Sequence, residues 1–204
     1  MMKKKFSLVL LIEAFIVSAA FVANAQNGAK AEVKSIDAYC KTVDAIRTRS
    51  KLPSSIFADT SDIDVTKPKW RAFSSEKALE DFREDSETYT IAYNWRNRGK
   101  IVASNFTHFS PSGDWVKYVY HCFRANGTLA RVETDYRTFK GDFKVVRKRY
   151  FDRFARRINM SVKYLDLQTD KPKNADSGVL GDDGNEVDYY LKTSKLPFGR
   201  LLKK

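Results

Sequence analysis

Residues 86–167 read SETYTIAYNWRNRGK, IVASNFTHFSPSGDW, VKYVYHCFRANGTLA, RVETDYRTFKGDF, KVVRKRYFDRFA and RRINMSVKYLDL. Gly99, Gly113, Gly127 and Gly141 recur every 14 residues, and Ala155 and Thr169 continue the spacing without glycine. Trp95, Phe109, Phe123, Arg137, Phe151 and Leu165 each stand four residues before a mark. A fixed period names the repeating structural unit. Fourteen residues is too short for a helical repeat and fits one strand of about 10 residues plus a turn of about 4. Glycine recurs because a tight reversal needs a residue that tolerates positive φ. Asn126-Gly127 is a strong hairpin signal, and connections this short make neighbouring strands antiparallel.

The spacing predicts strands over 87–96, 100–109, 115–124, 128–139, 143–151 and 157–167, all rich in Tyr, Trp, Phe, Val, Ile and Thr. Tyr89, Ile91, Tyr93 and Trp95 share one face of the first strand. In the third, Val116, Tyr118, Tyr120 and Cys122 share one face and Trp115, Val119 and Phe123 the other, so it is covered on both sides.

Working outward, residues 1–25 read as a secretory signal peptide. Lys3, Lys4 and Lys5 precede an apolar run from Phe6 to about Val22, and Ala23-Asn24-Ala25 supplies small residues for cleavage before Gln26. No later stretch is apolar enough to span a bilayer. The expected location is periplasmic or secreted. Residues 26–168 are expected to form a single α+β domain with the meander at 86–168, and 169–204 a polar loop and a C-terminal tail that docks on it.

Residues 32–51 carry Val33, Ile36, Cys40, Val43 and Ile46 at helical spacing, with Arg47, Arg49 and Lys51 in the last turns and Pro53 beyond. Residues 54–73 read as irregular. Ser74-Ser75 offers a cap for a short helix over 76–85. The expected architecture is an N-terminal helix packed on an antiparallel meander of about six strands, in an open or half-barrel sheet.

Cys40 and Cys122 have two readings: a disulfide, which an oxidising compartment permits, or two buried thiols. No paired Cys or His spacing suggests a metal, and no cofactor motif is present. His108 and His121 have no nucleophile in evidence, and Ser112 between Pro111 and Gly113 reads as a turn. Asp182-Asp183-Gly184-Asn185-Glu186 lacks the order of an EF-hand loop and reads as a solvated turn. The chain is read as non-enzymatic.

The strongest surface feature is basic. The net charge is +12, and it falls to +10 when the first 25 residues, with three lysines and one glutamate, are removed. Lys144, Arg147, Lys148, Arg149, Arg156 and Arg157 concentrate it near the fifth and sixth strands and are the candidate anion-binding residues. A simple register would place Arg147 and Arg149 on one face with Arg131 and Arg137. The expected function is an exported, envelope-associated binding module whose basic sheet face holds an anionic envelope component or lipid, with no nucleic-acid partner. The alternative is a periplasmic carrier of an apolar or lipid ligand, with Tyr89, Tyr93, Trp95, Phe106, Phe109, Trp115, Tyr118, Tyr120 and Phe123 lining a curved sheet.

Phe123 to Ala130, then Arg149 to Asp152, then Tyr164 to Thr169, resemble tandem hairpin repeats of the Tyr-Asp and antitoxin-like MORN-variant kinds, in which an aromatic strand end precedes a Gly turn. The resemblance covers roughly residues 95–170 and departs at Phe154-Ala155, where the pattern has Asp or Asn before Gly. It implies a scaffold or binding surface and brings no catalytic residues. The order helix-then-meander is also similar, at the level of fold alone, to periplasmic lipoprotein carriers with a half-open barrel.

Overall fold

The computed structural model describes residues 6–62, 67–174 and 189–203, with side chains between Gly28 and Leu202. The Asp182 to Glu186 turn lies outside the described residues. The elements are α1 (Phe6–Ser50), β1 (Ser55–Asp59), β2 (Trp70–Phe73), α2 (Glu76–Asp85), β3 (Thr90–Asn97), β4 (Lys100–Phe109), β5 (Trp115–Phe123), β6 (Leu129–Thr138), β7 (Phe143–Phe151) and β8 (Arg157–Asp166). Two short 3-10 turns, Thr193–Lys195 and Leu201–Lys203, follow. The fold is α+β. All eight strands form one antiparallel sheet in the order β2-β1-β3-β4-β5-β6-β7-β8, which stays open and does not close into a barrel.

The repeat accounts for β3 to β8. Gly99, Gly113, Gly127 and Gly141 all have φ between +69 and +82. Ala155 adopts φ +63 at the fifth mark, and Asp170 follows the sixth at +56. The turn geometry therefore repeats where the glycine does not.

The strand count corrects the expected six. The stretch 54–73, expected to be irregular, holds two strands: β1 pairs with β3 through Ile56↔Tyr93 and Ala58↔Ile91, and β2 pairs with β1. In β1 the residues Ile56, Phe57 and Ala58 are all buried, so the strand shows no alternation to read. The tail adds looser pairing to β6, with the Leu129 amide donating to the Leu191 carbonyl and a bridge between Thr128 and Lys192.

Each sheet face has its own cover. Trp95, Ala103, Cys122, Arg131 and Tyr150 form a single row across β3 to β7. Helix α1 lies along this row. Asp37 meets Arg131 at 2.8 Å and accepts from the Tyr150 hydroxyl at 3.3 Å; Cys40 is bonded to Cys122; Arg47 stacks over Trp95. Buried Ile36 and Val43 pack with Val102 and Ala130 below. The disulfide has a Cα separation of 5.9 Å and both cysteines are fully buried, so the bridged reading of the pair holds. On the same face α2, capped by the Ser75 hydroxyl accepting from the Ala78 amide, seats Leu79 against Ile56, Ala58 and Ile91.

The opposite face is covered by the chain from Tyr189 on. Phe198 stacks on Phe57 at 4.3 Å and meets Trp70 and Phe106 within 6 Å, while Leu196 joins the same buried cluster. His121 sits beneath this strap. Its Nδ1 faces the Val119 carbonyl at 3.2 Å, and its Nε2 accepts the Tyr190 amide at 3.2 Å.

Candidate functional site: a basic end of the sheet

The meander sorts its turns. Those after β3, β5 and β7 lie at one end of the sheet, and those after β4 and β6 at the other. The first end carries Arg98, Lys100, Arg153, Arg156 and Arg157, all exposed. The other is mixed: it carries Asp114, Lys140 and Asp142 in its turns, Asp166 at the end of β8, and Asp170, Lys171 and Lys173 beyond it. The C-terminal strap adds to the basic end. The Thr193 amide donates to the Gly127 carbonyl at 2.9 Å, which brings exposed Lys192, Lys195 and Arg200 beside the hairpin tips.

Between strap and hairpins lies a cleft of about 710 Å³. Arg96, Lys100 and Arg200 contribute its charge, and Asn126, Thr193 and Ser194 its neutral hydrogen-bonding groups. Gly99, Gly127 and Gly199 leave backbone accessible in its wall. The close approach is specific at Gly127, where φ is +82 and a Cβ would stand 2.6 Å from the Thr193 hydroxyl. The Arg96 guanidinium is held by donating to the Gly99 carbonyl at 2.7 Å. Among the described residues no ion pair engages Lys100 or Arg200. A smaller cleft of about 330 Å³ abuts it, lined by Tyr39, Asn97, Arg98, Lys100, Val102 and Ala125. Among the described residues neither contains a carboxylate, whereas the larger clefts elsewhere mix Glu87 with Asp114 or Asp62 among their cations.

The single acid in the tip turns, Asp152, is consumed locally. It accepts from the amides of Phe154 (2.8 Å) and Arg156 (2.9 Å) and from the Arg156 Nε (2.8 Å). Burial acts to raise its pKa, but these donors outweigh that and hold it below the ordinary carboxylate range. Arg124 has a structural role. Its guanidinium donates to the carbonyls of Leu129 and Phe151, each at 2.6 Å, and ties two hairpin tips together.

The candidate anion-binding residues do not form one surface. Thr138 pairs with Phe143, so odd-numbered residues of β6 face the same way as even-numbered residues of β7. Arg131 lies beside Tyr150 and Arg137 beside Lys144, whereas Arg147 and Arg149 face the other side, opposite Thr134 and Val132. The expected shared face of Arg131, Arg137, Arg147 and Arg149 is thus corrected. Arg147 and Arg149 are 5% and 8% exposed, and burial, then the charge of Arg147, pulls the Arg149 pKa down. Lys144 is paired with Asp170 at 2.8 Å and Lys148 with Glu133 at 3.2 Å. Of the six, Arg156 and Arg157 lie exposed at the basic end.

A second polar cleft, about 550 Å³, lies on the helix face between α1 and β3 to β6. It gathers Asp44, Glu133 and Asp135 with Arg47, Arg131 and Arg137 beside Trp95, Asn105, Tyr118 and Tyr120. Its charges are mutually engaged: Arg137 grips Asp135 through two bonds of 3.0 and 2.8 Å, and Arg131 faces Asp37, Asp44 and Glu133 within 3.7 Å. Burial alone would lower the Arg131 pKa; the Asp37 hydrogen bond and the surrounding carboxylates more than offset it. Burial, reinforced by the charge of Asp44, pushes the Tyr120 hydroxyl up. Here the arrangement braces α1 on the sheet. The aromatics on the opposite face, Phe106 among Trp70, Tyr190 and Phe198, pack on one another within about 6 Å.

The basic end has a partial signal in the sequence. Turns 28 residues apart fall on the same end of a meander, so alternate turns put Arg98, Lys100, Arg153, Arg156 and Arg157 against the single acid Asp152 at one end, whereas Lys140 is balanced by Asp114 and Asp142 at the other. The return of Lys192 to Arg200 to that end has no such signal. Among the described residues no helix is long and apolar enough to cross a membrane. No protein-family model, curated protein or solved structure matches the chain.

Proposed function

We propose that the protein is an exported, non-enzymatic binding module that holds an anionic partner at the basic end of its sheet. The observation that carries this reading is the cleft in which Arg96, Lys100 and Arg200 converge with no carboxylate in the lining among the described residues. Uncompensated cations in a concave site concentrate field lines and favour anions, and the Thr193 and Ser194 hydroxyls can donate to anionic oxygens. The buried Cys40–Cys122 bridge suits an oxidising compartment, as does the signal-like segment ending at Ala25.

The test is charge reversal. The native protein is expected to bind the host envelope fraction and inorganic polyphosphate, and to be released as salt approaches 1 M, where the Debye length shrinks to about 3 Å. The double variant Lys100→Glu/Arg200→Glu is expected to lose both associations while keeping its circular dichroism spectrum. Reversal at Lys144 and Lys148 is expected to leave them intact. Equal binding by native protein and the Lys100/Arg200 variant would reject the site.

A further inference from the structure

We propose that the anionic partner is a lipid bilayer, and that the β7–β8 hairpin inserts Phe154 into it while the surrounding cations engage the headgroups. This inference rests on the reading of the basic end as an anion-binding surface and names its partner. Phe154 is 64% exposed at the tip of the hairpin. The guanidiniums of Arg153 and Arg156 lie over its ring at 4.8 and 5.2 Å. An apolar ring flanked by guanidiniums suits the bilayer interface, where the ring enters the acyl boundary and the charges stay with phosphates.

The tip is preorganised. Asp152 fixes it through the amides of Phe154 and Arg156, the Ala155 amide donates to the Asp152 carbonyl at 3.0 Å, and Ala155 adopts φ +63. Arg124 ties this tip to the β5–β6 hairpin. Little ordering is then required on contact. A planar surface also reaches what a small anion cannot: Arg98 and Lys100 on one tip, Arg153, Arg156 and Arg157 on another, and Lys195 and Arg200 on the strap. Each basic residue near an anionic leaflet gains roughly fivefold in affinity.

The other exposed phenylalanine of a turn, Phe139, provides the contrast. It is 67% exposed at the opposite end, in a turn that holds both Lys140 and Asp142, and among the described residues no cation stands over its ring.

The test uses vesicles of phosphatidylglycerol and phosphatidylcholine, with pure phosphatidylcholine as control. In the full chain, Phe154→Trp places a reporter at the tip, read as the difference from native protein. The introduced indole is expected to shift to the blue on phosphatidylglycerol vesicles, to be quenched by brominated acyl chains, and to do neither on phosphatidylcholine. Phe154→Ser is expected to weaken vesicle binding by about tenfold, the scale of removing one large apolar side chain from a nonpolar phase. Salt-sensitive vesicle binding with the indole unshifted and unquenched would overturn insertion while leaving anion binding intact. Binding to polyphosphate but not to vesicles would overturn the bilayer as partner. Binding to neither would overturn both readings.

Discussion

His121 shows what a single buried side chain contributes. It is fully buried, and burial pulls its pKa down to about 4 from the ordinary 6.5. The neutral ring has both nitrogens in use, since Nδ1–H can donate to the Val119 carbonyl and Nε2 accepts the Tyr190 amide. Protonation at Nε2 would set two hydrogens against each other and remove the acceptor that holds the strap. A histidine depressed in the folded state stabilises fully above 6.5, and the contribution is lost as pH falls toward 4, because the unfolded chain takes the proton first. The loss is on the order of 3 kcal/mol. Urea midpoints measured between pH 6.5 and 4 are expected to fall more steeply for native protein than for His121→Gln; identical slopes would contradict the assignment. This role was not legible in the sequence. The histidine's partner is a backbone amide 69 residues away, in a segment without secondary structure of its own. Ala155 is the opposite case: the 14-residue period placed it in a turn, and its positive φ follows from that position.

At the scale of elements, α1 is fastened to the sheet along one row of side chains. Covalent closure by Cys40–Cys122, the Asp37–Arg131–Tyr150 group and the Tyr39 hydroxyl donating to the Phe123 carbonyl at 2.8 Å all act there. The bridge spans 82 residues, for which the chain-entropy model gives about 4 kcal/mol. Guanidinium titrations with and without reductant are expected to differ by about that amount, with Cys40→Ala/Cys122→Ala matching the reduced protein. A difference below about 1 kcal/mol would mean that packing alone holds the helix. Strands β3 to β8 and helix α2 were legible because each turn and cap has its own chemistry, as at Gly127 and Ser75. Strands β1 and β2 were not. They are five and four residues long, the first is buried on both faces, and their pairing depends on the edge of β3.

At the scale of the whole molecule, the proposed function rests on how an even period distributes charge. The basic character of β7 was evident in the sequence, but strand alternation divides its cations between two faces. Lys144 and Lys148 find Asp170 and Glu133, and Arg147 and Arg149 are buried. What remains uncompensated lies at the hairpin tips, where alternate turns accumulate Arg98, Lys100, Arg153 and Arg157, and where the strap returns Arg200. The polarity runs along the strands instead of across them. A surface built this way is rigid, because its cations stand on turns of a sheet, and it presents several charges to one partner at once.

The most direct measurement is an amide-resolved NMR titration of the isotopically labelled protein with inorganic polyphosphate. The account predicts that the largest shifts fall on Gly99, Lys100, Asn126, Gly127, Thr193 and Ser194, and that they vanish in Lys100→Glu/Arg200→Glu. Shifts centred on Glu133, Asp135 and Arg137, or on Lys144 and Lys148, would move the anion to the helix face and contradict it.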